Sequence, residues 1–100
     1  MWHAFENGEF LGARGSEQGV IELDEEHPWG VRITLERDGC TAPWSITGGI
    51  YGVFAHTAFA SSEGEARNKY ADMKRDLISI LGESPSTPCY EKMRLFADVY

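Results

Sequence analysis

Ile50-Tyr51-Gly52-Val53-Phe54-Ala55-His56-Thr57-Ala58-Phe59-Ala60 runs directly into Ser61-Ser62-Glu63-Gly64-Glu65-Ala66, and the hydrophobic period changes between the two stretches. The first reads as a strand. Ile50, Phe54 and Ala58 fall on one face, and Tyr51, Val53, Ala55 and Phe59 on the other. Apolar residues on both faces mean a central strand, or one whose second face is covered. The second stretch opens a helix. Ser62 and Glu65 have the S-x-x-E spacing of a capping box. Ala66, Tyr70, Met73, Leu77, Ile80 and Leu81 then recur at three- and four-residue steps, the stripe of an amphipathic helix over 63–81. Gly82 stands where a helix ends in a C′ glycine.

Upstream, Val20-Ile21-Glu22-Leu23-Asp24 and Val31-Arg32-Ile33-Thr34-Leu35-Glu36 alternate with period two and are rich in β-branched residues, which predicts half-buried strands. Ile21 and Leu23 are expected on one face. His27-Pro28-Trp29-Gly30 carries the turn between the strands. A register of Leu23 with Ile33 sets Asp24 opposite Arg32. After a turn at Asp38-Gly39, Trp44 to Thr47 reads as another strand. Gly48-Gly49 is read as a hairpin turn or sharp break, with a bulge in one long strand as the alternative. Residues 1–15 are irregular or a short hairpin, in which Asn7-Gly8 suits a type I′ turn.

Downstream, Pro85-Ser86-Thr87-Pro88 interrupts the chain. Thr87 is placed to cap a short helix over 88–98 with Pro88 at its first position. That helix offers Tyr90, Met93, Phe96, Ala97 and Tyr100 for packing. The expected fold is a single α+β domain over residues 1–100. An antiparallel β-meander of three to four strands within 20–60 packs on one long helix, and a short C-terminal helix follows.

The chain has 100 residues, 9 Lys plus Arg, 16 Asp plus Glu and a net charge of −7. This balance opposes binding to nucleic acid or anionic membrane and permits a basic protein partner. No apolar run reaches the ~20 residues of a membrane span. The opening residues lack the basic and apolar regions of a secretory signal, and the 2 cysteines form no dense framework. A cytoplasmic protein with Cys40 and Cys89 reduced is expected.

No catalytic motif emerges. Gly48-Gly49-Ile50-Tyr51-Gly52 lacks the lysine and following helix of a phosphate loop. Glu26 and His27 are adjacent and point to opposite faces of a strand, so they do not form a metal pair. No metal site and no cofactor are implied. His56, in the most apolar stretch, is a structural histidine or part of a pocket with Tyr51 and Cys40. Trp29 and Trp44 are candidate interface anchors. The functional expectation is a small acidic, non-catalytic protein-interaction domain that self-associates as a homodimer. The alternative is a small-ligand-binding protein or minor enzyme with a pocket near His56.

Overall fold

Strand-forming residues with one apolar face need a layer to bury it. In the computed structural model, which describes residues 1–82 and 89–100, that layer is helical. The strands are β1 (His3–Ala4), β2 (Val20–His27), β3 (Val31–Arg37), β4 (Trp44–Ile50) and β5 (Phe54–Ala60). They form one antiparallel sheet in the order β1-β2-β3-β4-β5. Helix α1 (Glu63–Leu81) crosses one face, and α2 (Tyr90–Val99) lies beside it. The fold is α+β, as the sequence implies, with five strands rather than three to four. The extra strand is β1, two residues that carry no alternation to read. Its partners are Glu25 and Glu26 of β2.

Val31, Ile33 and Leu35 of β3 and Ile46 and Ile50 of β4 bury against Ala66, Tyr70, Met73, Leu77, Ile80 and Leu81 of α1. Ser62 caps α1, accepting from the Glu65 N–H at 3.2 Å. The Glu65 carboxylate accepts in return from the Ser61 N–H at 2.8 Å, one residue earlier than in the usual capping box. Helix α2 leans on α1 with Met93 and Phe96 buried. Tyr90 and Ala97 are exposed instead of packed, because only a narrow stripe of α2 meets α1. The expected Thr87 cap and Pro88 lie outside the described residues.

Three local expectations change. A bulge at Glu22 pairs Ile21 with Glu36 and Leu23 with Leu35. Ile21 and Leu23 therefore sit on opposite faces, since one extra residue reverses the alternation. Asp24 faces Thr34 rather than Arg32, yet still reaches Arg32 diagonally. Gly48-Gly49 is neither turn nor bulge, and both residues are regular positions of β4. A Cβ on Gly48 would lie 2.8 Å from Leu77 Cδ1, under the helix, and one on Gly49 would lie 2.8 Å from the Phe54 carbonyl. The turn falls at Tyr51-Gly52-Val53, with Gly52 at φ +72° and the Val53 N–H donating to the Ile50 carbonyl. At the N-terminus Glu6 joins Asn7 and Gly8 in positive φ, at 47°, 55° and 81°. This run reverses the chain after β1 without making a local hairpin.

Candidate functional site

The register separates the three residues expected near one pocket. Val31 pairs with Ile50 and Arg37 with Trp44, so the Tyr51 turn and the Cys40 connection lie at opposite ends of the β3–β4 hairpin. Cys40 is exposed, Cys89 is half-buried, and both are free thiols. His56 shares its side of β5 with Phe54 and Ala58, facing the helices, where its ring stands edge-on to Phe96 at 6.1 Å. Its Nε2 is buried without a hydrogen-bond partner among the described residues. Tyr51 turns to the other face and donates to Glu26 Oε2 at 2.9 Å. Burial and that carboxylate push its phenol up to about 12. Trp29 and Trp44 are half-buried and pack back onto the core, and Trp29 meets the His27 ring edge-on at 5.4 Å.

The face away from the helices carries a polar floor. Asp24, 3% exposed, holds the Arg32 guanidinium through both oxygens at 3.0 and 2.9 Å and accepts from Thr34 at 3.1 Å. The Phe5 ring lies 3.7 Å from the Arg32 guanidinium carbon. Thr47 and Thr57 bond each other at 2.9 Å. Glu36, 1% exposed, accepts from the Gly19 and Glu17 N–H groups at 3.0 and 3.2 Å. It thereby fastens the loop before β2 onto the sheet. Burial raises its pKa, against those two donors. Above this floor is a groove of about 550 Å³, bordered by Tyr51, Val53, Ala55, Ser16 and Ile21. Gly49 and Ala55, the small neighbours across β4 and β5, leave the space.

Beside the groove the sheet ends at β5. The Phe54 carbonyl points toward β4, close enough to meet a Cβ on Gly49. The pairing of β4 with β5 runs without a bulge, so Ala55, Thr57 and Phe59 direct their N–H and C=O groups away from the sheet. The Phe59 carbonyl accepts from Lys69 Nζ of α1 at 2.8 Å, which fixes the same direction independently. Phe54-Ala55-His56-Thr57-Ala58-Phe59-Ala60 contains no Asp, Glu, Lys, Arg or Pro. Phe59, Val53 and Tyr51 are exposed on the outer side.

Among the described residues no group of three or more His, Cys, Asp or Glu side chains is arranged to hold a metal ion. No described helix is long and apolar enough to cross a membrane. The chain matches no family model, no curated protein and no solved structure. Sequence reasoning found the apolar outer face of 50–60. It brought Asp24 and Arg32 together, though in another register, and missed the Thr34 bond and the Glu36 latch. The signal in the sequence was polar and charged residues at alternate positions of β3, which do not by themselves reveal burial.

Proposed function

We propose that this protein is a non-catalytic interaction domain that self-associates through the β5 side of its sheet. One observation carries the reading: β5 is a seven-residue edge strand without a charge or a proline. Such an edge is a template for pairing with another chain, and monomeric proteins interrupt it with charged side chains, prolines or bulges. The outer apolar surface at Val53 and Phe59 adds contact area beside the backbone groups. The net charge of −7 opposes close approach of two copies in general. β5 is a stretch where that repulsion has no local source. A basic protein partner is the other occupant that the charge favours.

Sedimentation equilibrium over a range of concentrations tests the proposal. The expected mass rises from 11.2 kDa toward twice that value, and a mass fixed at 11.2 kDa at every concentration overturns it.

The outer groove supports a second reading, small-ligand binding. Its volume of about 550 Å³ falls within the ~300–1,000 Å³ of ligand pockets. Tyr51 belongs to that groove, and His56 and Cys40 do not. A fragment screen read by amide chemical shifts should move Thr34, Thr47 and Val53 together. Shifts scattered over the surface would count against this reading.

A further inference from the structure

Resting on the self-association reading, we propose that two copies pair β5 to β5 in antiparallel fashion, about a two-fold axis at Thr57. The sheet then continues across both copies, with Ala55 of one opposite Phe59 of the other.

The register follows from which backbone groups face outward. Ala55, Thr57 and Phe59 are the outward residues of β5. An axis at Thr57 sets Thr57 against itself and Ala55 against Phe59 twice, so every outward residue enters a hydrogen-bonded pair. Moving the axis to His56 sets Phe59 against Val53, which lies in the turn. Moving it to Ala58 sets Ala55 against Ser61, beyond the end of the strand. Both shifts leave an outward residue without a strand partner.

Side-chain size agrees with this register. On the outer face the large Phe59 ring meets the small Ala55 of the other copy on each side of the axis, and residues directly opposite are close enough for that match to count. No residue of β5 is an Asp, Glu, Lys or Arg, so the acidic character of each chain sets no like charges of the two strands against each other. Lys69 already donates to the Phe59 carbonyl. A carbonyl oxygen has a second lone pair, which receives the Ala55 N–H of the other copy. On the inner face, the same axis makes the two His56 side chains diagonal neighbours. Each His56 Nε2 is buried without a hydrogen-bond partner among the described residues.

A charge exchange tests the register on the full chain. Ala55 and Phe59 are both exposed, so substitution there leaves the fold intact, which circular dichroism checks. Ala55→Glu alone and Phe59→Lys alone should each weaken the dimer by about tenfold or more. The double variant A55E/F59K should recover most of the loss, because each new Glu faces a new Lys across the seam. Single variants that dimerise like the parent overturn the register while self-association stands. A folded double variant no tighter than the single ones also overturns the register. A parent chain that is monomeric throughout defeats the underlying reading as well.

Discussion

Glu36 has its carboxyl pressed against Gly15, where an added Cβ would lie 2.4 Å from its Cδ. Burial is the largest influence on this group and raises its pKa above the ordinary carboxyl value. A carboxyl so raised is protonated more readily in the folded chain than in the unfolded one. Its contribution to stability is full below the unfolded value and is lost as pH rises through the folded one. Glu36→Gln removes this titration. Its urea midpoint, relative to the parent chain, should therefore shift in the variant's favour as pH is raised from about 4.5 toward neutrality. A constant difference, or one moving the other way, contradicts the assignment. Gly48 and Gly49 make a second comparison. Gly48→Ala presses on the Leu77 side chain, which can give a little, whereas Gly49→Ala presses on the Phe54 carbonyl. Overpacking of this kind typically costs about 1–3 kcal/mol, and Gly49→Ala should be the more destabilising of the two by thermal denaturation. These demands come from opposite faces of one strand. The Gly48-Gly49 dipeptide therefore resembled a turn in the sequence, where neither face can be seen.

Helix α1 is legible in the sequence, because its start and its face are written locally. Ser62 supplies the cap, and a stripe of six apolar residues from Ala66 to Leu81 supplies the buried side. Ser62→Ala should lower stability by about 0.5–2 kcal/mol, seen as a reduced urea midpoint. An unchanged midpoint would contradict the role of the 3.2 Å bond to the Glu65 N–H. β2 and β3 were legible as strands, but their register was not. The Glu22 bulge depends on the loop folding back, where Gly12 donates to the Ile21 carbonyl and Ile21 to that of Ala13. β1 is too short to carry a period. The two-faced apolar pattern of 50–60 was readable. That its strand portion is an edge was not, since strand order is settled by long-range pairing rather than by local residues.

At the scale of the molecule, one face of the sheet is closed by two helices and the other keeps a polar floor with an apolar border at β5. The two ends of the strand order are treated differently. Beyond β2 lie β1 and a bridge from Arg14 to Val20. Among the described residues, β5 has the Lys69 ammonium at a single carbonyl. A cation at an edge limits pairing, so Lys69→Met should shift the monomer–dimer equilibrium toward the dimer in sedimentation equilibrium. A shift toward monomer would mean that the lysine helps to hold the seam. The central claim is that β5 pairs with a second copy, and amide hydrogen exchange tests it most directly. The Ala55, Thr57 and Phe59 N–H groups should exchange quickly in dilute protein and become protected as concentration rises, with amides at the centre of β3 unchanged. Fast exchange of these three at every concentration would contradict the account.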